Sequence, residues 1–291
     1  MNDDSDDVQG WRYGDSVDSV VQAYREFLLV KYPGHLKPFD DRYAADREAA
    51  QAEAVMFSML RALKLKPKVA EIIGQGGVDF TAHHNDSEIA VEVTVMESDT
   101  LMRKSGIPDV LTDGAFAFEL VTDSLMGKAT AKAAQMARHP GQRLLIIASL
   151  HSGAGLVLNT LAAQRLLTSD TVISVPVGDT LGTAREVAQL RNSVFFRFDR
   201  KRKAIVPCRR SISAIVLATI SDEGTNLTGL LHPDPSVPFD ISSLPRVPFI
   251  RLSKWPLEGG RIPTEWVIAH PRVMTHYHNK VNLTDAELRG L

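Results

Sequence analysis

Two carboxylates stand in the segment GQGGVDFTAHHNDSEIAVEVTVM, which runs from residue 74 to residue 96. Asp79 follows a glycine-rich turn, and Glu92 lies among valines in the next extended stretch. Burying an unpaired carboxylate is costly, so each side chain requires a basic group or a metal ion nearby. Two carboxylates that project from neighbouring strands toward one side form an oxygen-rich pocket that suits Mg²⁺ or Mn²⁺. Such an ion polarises a phosphodiester and lowers the pKa of a bound water, so the pair predicts phosphodiester hydrolysis.

The elements that would position this pair follow in the order helix, strand, strand, strand, helix, strand. An alanine-rich segment with an acidic opening and an apolar stripe predicts the first helix. β-branched residues in period-two alternation predict the first three strands, and a fully apolar run predicts a buried fourth strand. The predicted bounds are 40–64 and 116–138 for the helices and 68–74, 77–84, 87–95 and 143–150 for the strands.

The second and third strands form a predicted hairpin that sets the direction of Glu92. The turn Asn85-Asp86 joins the two strands. Because side chains alternate along a strand, Glu92 shares one face with Thr94, and the neighbouring valines lie on the other.

This order of elements resembles the core of the PD-(D/E)XK nuclease superfamily, which includes restriction endonucleases and many repair and defence nucleases. The resemblance covers roughly residues 40–150, with an aspartate after a glycine-rich turn on the second strand and a Glu-x-Lys-like motif on the third. It implies an α/β protein with a restriction-endonuclease-like αβββαβ core, in which helices flank a mixed central sheet. It also implies an Mg²⁺- or Mn²⁺-dependent endonuclease that acts on DNA rather than RNA, in defence, restriction or repair.

The resemblance assigns roles to individual residues. Asp79 matches the family's metal-binding aspartate, and Glu92 matches the acidic residue of its second half-motif. The backbone carbonyl of Val93 would be a further metal ligand. Glu53 on the first helix would orient the metal or its water, with Glu48 as the alternative because the sequence alone leaves the phase of the helix open.

Position 94 departs from the family pattern, since Thr94 stands where the family's lysine is expected. In some members this lysine lies on the following helix. The run GKATAKAAQ places Lys128 and Lys132 one turn apart on one face, with Gln135 on the same side. The predicted replacement is therefore Lys132 with Gln135, followed by Lys128, although such lysines also occur on solvated helix faces.

Two alternatives remain open at this point. If neither lysine reaches the site, the protein is a catalytically inactive nuclease fold that serves as a nucleic-acid-binding or scaffold module. If Asp79 and Glu92 only cap turns or face solvent, the protein is a hydrolase or transferase of another α/β fold. Zinc chemistry has less support, because the adjacent His83 and His84 would point to opposite faces of a strand.

The densest basic stretch, RFDRKRKAIVPCRR at 197–210, predicts a nucleic-acid contact, with a solvated hairpin as the alternative. The neighbouring Phe195, Phe196 and Phe198 are predicted to be core residues rather than base-stacking platforms. The candidates for phosphate contacts are Arg197, Arg200, Lys201, Arg202, Lys203, Arg209 and Arg210.

Composition limits the class of protein. The chain has 291 residues, of which 33 are basic and 35 acidic, so its overall charge does not indicate a polyanion-binding protein. A single cysteine, Cys208, excludes an intrachain disulfide. The sequence contains no apolar run of about 18 residues, and the acidic start MNDDSDD is unlike a secretory signal. We therefore expect a soluble cytoplasmic protein that binds DNA and no membrane, and the family admits a homodimer or a partner subunit.

Three segments are predicted along the chain. Residues 1–15 form a disordered acidic tail, residues 16–220 a nuclease-like α/β domain, and residues 221–291 a proline-rich extension of loops packed on that domain. The remaining predicted elements are a helix over 15–32, a turn-rich connector over 31–42, helices near 156–167 and 181–192, a strand pair around NSVFFRF and KAIVP, and a strand over 211–220.

Overall fold

A mixed eight-stranded sheet forms the centre of this computed structural model, which describes residues 16–105, 118–168, 171–174, 185–188, 193–221, 224–257 and 262–269. The helices are α1 (Val17–Lys31), α2 (Pro33–Ala45), α3 (Arg47–Ala62), α4 (Ser98–Ser105), α5 (Phe118–Met136), α6 (Ala154–Val157) and α7 (Thr160–Thr168). The strands of the central sheet are β1 (Lys68–Val69), β2 (Phe80–His84), β3 (Ser87–Val95), β4 (Gln142–Ser149), β9 (Ala214–Ser221), β10 (Gly224–Leu231), β11 (Phe249–Leu252) and β12 (Thr264–Val267). Two separate hairpins pair β5 (Thr171–Ser174) with β6 (Arg185–Ala188), and β7 (Phe196–Asp199) with β8 (Ala204–Pro207).

The central sheet has the strand order β1-β2-β3-β4-β9-β10-β11-β12. Strands β3, β4 and β9 run parallel to one another, and β1 and β2 are antiparallel additions at one edge. On the other side, β10 is antiparallel to β9, β11 is parallel to β10, and β12 is antiparallel to β11. Strand β4 is buried along its whole length, as expected for a parallel strand covered on both faces.

The sheet separates two hydrophobic cores. On one face, α1 and α3 pack through an aromatic cluster. The ring centroids of Tyr24 and Phe57 are 4.9 Å apart, and those of Phe57 and Phe80 are 5.3 Å apart. On the other face, α5 and α7 cover the sheet. Strand β3 contributes Val91 to the first core and Ala90 to the second. Its side chains therefore alternate between the two helical layers, and Glu92 points toward the layer of α5.

The predicted order helix, three strands, helix, strand is confirmed by α3, β1, β2, β3, α5 and β4, with the short α4 inserted before α5. The first strand is shorter than predicted, because residues 72–76 close a tight turn through a bridge between Ile72 and Gly76. Helix α1, the strand pair β7 and β8, and strand β9 also occur where they were predicted.

Two predictions of local structure are wrong. The turn-rich connector of residues 31–42 lies largely in α2, because Pro33 occupies a first-turn position, where its missing N–H costs nothing, and Phe39 is buried against the core. The predicted helix over 181–192 contains strand β6 instead, in that part of it which the structure describes. Pairing of β6 with β5 outweighs the local helical preference there.

The proline-rich segment after residue 220 contains more than the predicted loops, since β10, β11 and β12 extend the central sheet. Its prolines at 233, 235, 238, 245 and 248 lie in the connection between β10 and β11, where no ladder hydrogen bond is required from them. The acidic tail of residues 1–15 lies outside the described residues.

Replacing Gly229 on β10 with alanine should destabilise the protein. A Cβ at this position would overlap the ring of the fully buried Phe249 on β11. Overpacking of this kind costs about 1–3 kcal/mol of the free energy of unfolding, which urea denaturation would measure. The matched control is Gly127→Ala in α5, where a Cβ would have no neighbour within 4 Å and helix propensity favours alanine. Equal stability of Gly229→Ala and wild type would contradict the packing of β10 against β11.

No helix among the described ranges is long and apolar enough to span a membrane.

Candidate active site

The hairpin of β2 and β3 brings Asp79 level with Glu92. Phe80 of β2 pairs with Val91 of β3 in an antiparallel arrangement. Continuing this pairing by one residue places Asp79, which immediately precedes β2, opposite Glu92. The Asp79 carboxylate accepts a hydrogen bond from the backbone N–H of Val93 at 2.7 Å. Its backbone carbonyl accepts another from the N–H of Ala70 at 2.9 Å. Asp79 is therefore held between the end of β1 and the middle of β3, and it remains partly exposed to solvent.

Helix α5 supplies the positive charge that accompanies the buried Glu92, which is only 1% exposed. Lys132 Nζ lies 2.5 Å from Glu92 Oε1, and Gln135 Nε2 donates a hydrogen bond to Glu92 Oε2 at 2.9 Å. Gln135 also donates to the backbone carbonyl of Gly77, in the turn before Asp79. The structure therefore brings Asp79, Glu92, Lys132 and Gln135 together, while Lys128 lies one turn earlier on α5 and is partly buried.

Glu53 of α3 interacts electrostatically with Asp79 and is buried in a network that joins three helices. Its carboxylate accepts a hydrogen bond from the Tyr24 hydroxyl of α1 at 3.0 Å and forms an ion pair with Arg42 of α2. Arg42 also donates to Glu71 Oε2 at 2.8 Å. Tyr24, Arg42 and Glu71 are not among the residues that the sequence predicts for the site, because it places Arg42 at the end of a connector and gives no contact between α1 and α3.

The two glutamates considered on α3 have different surroundings. Glu53 interacts electrostatically with Asp79 and Glu71, and we call these three carboxylates together with Glu92 the carboxylate cluster. Glu48 Oε2 instead accepts a hydrogen bond from the N–H of Ser98 at 2.9 Å, at the start of α4. A carboxylate in this position satisfies an unpaired N–H at a helix N-terminus. Packing therefore fixes the helix phase that the sequence left open. Thr94 lies two residues beyond Glu92 on β3 and is partly exposed.

The pKa values of Asp79, Glu53 and Glu92 are all raised above their ordinary values. Burial, and then the negative charge of Glu92, raise the pKa of Asp79 to about 8, although the Val93 N–H, Lys132 and Arg42 oppose this shift. Burial raises the pKa of Glu53 to about 7, against the opposing charge of Arg42 and with support from Asp79. Burial also raises the pKa of Glu92, against its contacts with Lys132 and Gln135. Removing these groups from water therefore favours their neutral forms.

The raised pKa values predict how the stability of the protein without divalent metal depends on pH. Carboxyl groups of an unfolded chain ionise near pH 4, whereas those of Asp79 and Glu53 ionise at about 8 and about 7 in the folded protein. As the pH rises between these values, the unfolded chain binds fewer protons than the folded chain, so the free energy of unfolding falls. Calorimetry should show a steeper fall in melting temperature from about pH 5 to pH 8 for wild type than for an Asp79→Asn, Glu53→Gln variant. Parallel curves would contradict the shifted ionisation.

No group of three or more His, Cys, Asp or Glu side chains in the described ranges is arranged to hold a metal ion. The candidate donors are the carboxylates of Asp79 and Glu92, which stand opposite one another on neighbouring strands, together with nearby backbone carbonyls. Mg²⁺ is commonly bound in this way, through one or two carboxylates with waters and substrate phosphates completing its shell. The residues present thus fit a hard divalent ion that shares its coordination with a substrate.

The predicted basic surface divides into two parts. The hairpin of β7 and β8 exposes its basic residues around a turn that Asp199 orders by accepting from the N–H groups of Lys201 and Arg202 at 2.9 and 3.2 Å. The exposed basic residues of this hairpin are Arg197, Arg200, Lys201, Arg202 and Lys203, and Arg210 beyond it is exposed as well.

The other two candidate arginines make contacts within the protein. Arg209 donates to Thr130 Oγ1 on α5 and to the carbonyl of Val194, and Arg210 pairs with Asp234 at 3.1 Å. The hairpin is therefore tied at its base to the helix that carries Lys132.

The prediction that all three phenylalanines near this hairpin belong to the core is confirmed for two and wrong for one. Phe195 and Phe196 are fully buried, but Phe198 is 52% exposed. Phe198 lies two residues nearer to the hairpin turn than Phe196, on the same face of β7.

Comparisons of the chain with protein-family models, with curated proteins and with solved structures found no match. The fold and site define a mixed α/β protein with a partly solvent-accessible carboxylate cluster beside a lysine, and its function is inferred from these side chains.

Proposed function

We propose that the protein is a divalent-metal-dependent endonuclease with a restriction-endonuclease-like core that hydrolyses DNA phosphodiester bonds in defence, restriction or repair. The observation that carries the proposal is the contact of Lys132 and Gln135 with Glu92, next to Asp79. This contact supplies, from α5, the basic group that Thr94 does not provide on β3. The order of elements from α3 to β4 and the parallel pairing of β3 with β4 support the same core.

The charge balance of the carboxylates and basic side chains around Asp79 supports the binding of a divalent cation. Four carboxylates, those of Glu53, Glu71, Asp79 and Glu92, are connected through hydrogen bonds and electrostatic contacts to two basic side chains, Arg42 and Lys132. When all are ionised, two negative charges lack a counter-charge within this group. A single Mg²⁺ or Mn²⁺ would balance them, and it would lower the pKa values of the carboxyls that burial raises.

Each side chain has a separate task in this proposal. Asp79, Glu92 and the carbonyl of Val93 would hold the ion, which supplies a polarised phosphate and a water of lowered pKa. Lys132, held by Glu92, donates to the negative charge that develops on the phosphate, and Gln135 fixes the position of Glu92 relative to the turn at Gly77. These positions are set before substrate arrives, which reduces the reorganisation needed during the reaction.

Glu53 acts at the margin of the site in this proposal. Tyr24 of α1 and Arg42 of α2 hold the two oxygens of its carboxylate. The negative charge of Asp79 acts on Glu53 through space, and the pKa of Glu53, about 7, lets it exchange a proton near neutral pH. In this proposal Glu53 therefore orients the ion or its water from the margin of the site.

A plasmid assay tests the proposal directly. Purified protein is incubated with supercoiled DNA in Mg²⁺, in Mn²⁺ and in EDTA, with a single-stranded RNA as a parallel substrate. The proposal expects nicked or linear DNA only when a divalent ion is present, and slower attack on RNA. DNA binding with no cleavage in any metal would support the inactive nuclease fold, whose specific feature is Thr94. Neither binding nor cleavage would contradict both.

A further inference from the structure

The turn between β1 and β2, residues 71–77, is anchored at both ends to the candidate active site. At its start, Glu71 accepts a hydrogen bond from Arg42, which also binds Glu53. At its end, the carbonyl of Gly77 accepts from Gln135, which also binds Glu92. The residue before the turn, Ala70, donates its N–H to the carbonyl of Asp79. The turn therefore stands directly beside the carboxylate cluster.

This turn is ordered by its own hydrogen bonds and presents two isoleucines to solvent. The carbonyl of Ile72 accepts from the N–H groups of Gln75 at 2.9 Å and Gly76 at 3.1 Å. Gly74 and Gly76 have φ of +77° and +71°, which glycine adopts without strain. Ile72 and Ile73 are 56% and 52% exposed. An ordered pair of exposed branched aliphatic side chains next to an active site is a candidate contact for a ligand.

The chain that leads into this turn carries three exposed lysines, Lys64, Lys66 and Lys68, which we call the lysine edge. They alternate with the buried Leu65 and Pro67. The carbonyl of Leu65 accepts from the N–H of His83 at 2.7 Å, and Lys68 pairs with Thr81, so the lysine edge follows the outer side of β2. Positive charge at alternate positions along a sheet edge complements a polyanion such as a phosphate backbone.

Building on the proposed nuclease function, we propose that duplex DNA lies along the lysine edge and that Ile72 and Ile73 enter between two stacked bases beside Asp79. Apolar side chains that enter a base step unstack it and kink the duplex. We call Ile72 and Ile73 the wedge. The lysine edge would hold the DNA phosphates next to the wedge. The hydrogen bonds of the turn to Arg42 and Gln135 would keep the wedge at a fixed position relative to Asp79 and Glu92. The charge of the edge favours DNA over a protein partner or a second copy of the chain.

Fluorescence of 2-aminopurine tests the wedge independently of cleavage. The full chain is mixed in EDTA with a short duplex in which 2-aminopurine replaces several adenines, because its fluorescence rises when its base is unstacked. We expect wild type to raise the fluorescence and Ile72→Ser, Ile73→Ser to lose most of the rise. The matched control is Leu29→Ser, Val30→Ser, a neighbouring pair on α1 that is 58% and 74% exposed, which should keep the full rise.

Two further measurements separate the parts of the proposal. Alanine at all three lysines should reduce the slope of log binding constant against log salt by about 0.9 for each phosphate that the variant no longer neutralises. In Mg²⁺, the isoleucine variant should cleave a fully paired duplex roughly tenfold to a hundredfold more slowly, given the cost of unstacking. The defect should shrink on a duplex with an unpaired stretch that needs no opening.

The wedge is overturned if wild type does not bind the duplex, if it binds without a rise in fluorescence, or if the control pair loses the rise equally. It is also overturned if the isoleucine variant changes the mass of the protein in solution, because the pair would then serve self-association. Cleavage by wild type that is insensitive to the isoleucines defeats the wedge alone. A fluorescence rise that depends on the isoleucines without any metal-dependent cleavage defeats the nuclease proposal alone.

Discussion

Asp79→Asn is expected to reduce the rate of metal-dependent cleavage of plasmid DNA by more than about 100-fold. Removing a residue that only supports a metal ligand costs up to about 100-fold, and Asp79 is proposed to bind the metal itself. The asparagine retains an oxygen that can accept from the N–H of Val93, so the local backbone contact survives. It removes the negative charge that a divalent ion requires at this position. Initial rates of nicking in Mg²⁺ and Mn²⁺ would measure the loss.

The same substitution should raise the melting temperature of the protein without metal above pH 8, because it removes a carboxylate whose pKa burial and Glu92 raise to about 8. Loss of activity with gain of stability distinguishes a lost ligand from a damaged fold. Asp86→Asn, at the exposed turn of the same hairpin, is the matched control and should change neither quantity. Full activity of Asp79→Asn would remove the metal site from the proposal.

Lys132→Ala is expected to lower the cleavage rate by about 10²–10³-fold, which is the effect of removing one group that stabilises developing charge. The substitution also leaves the buried Glu92 with Gln135 as its remaining contact on α5, so the pKa of Glu92 should rise further above its ordinary value. The pH at which cleavage reaches half its maximum should therefore move upward in the variant. Single-turnover rates across a pH series would report both effects.

Lys128→Ala provides the comparison within the same helix, and we expect a much smaller loss of rate from it. Lys128 stands one turn before Lys132, and the sequence predicts it as the alternative to Lys132. A larger loss in Lys128→Ala than in Lys132→Ala would transfer the role to Lys128. Equal and small losses in both would support the inactive nuclease fold, in which the ion pair of Lys132 with Glu92 is structural only.

The strand and helix order around the site was predictable because it depends on local patterns. Alternation along β3 separates Glu92 from the valines, and the spacing of GKATAKAAQ places Lys132 and Gln135 on one face of α5. The tight polar turn between β2 and β3 then sets their register and brings Asp79 level with Glu92. These features use residues that are near in sequence or repeat with a regular period.

The network around Glu53 was not predictable in the same way. Tyr24 and Glu53 are 29 positions apart, and their contact depends on how α1 crosses α3. Arg42 was assigned to a connector because two prolines precede it, yet Pro33 begins α2 and places Arg42 between Glu53 and Glu71. Packing of α1 to α3 around the buried aromatic cluster decides these contacts, and no local periodicity records it.

The position of a bound Mn²⁺ ion is the most direct test of the central claim that Asp79 and Glu92 share a divalent cation. Crystals grown in Mn²⁺ would be measured for anomalous scattering, with crystals of Asp79→Asn as the reference. In wild type we predict an anomalous peak from a Mn²⁺ ion that is coordinated by the carboxylates of Asp79 and Glu92 and by the backbone carbonyl of Val93. In the variant we predict no anomalous peak at this position. A wild-type crystal with that position empty, or with Mn²⁺ bound only elsewhere, would contradict the account.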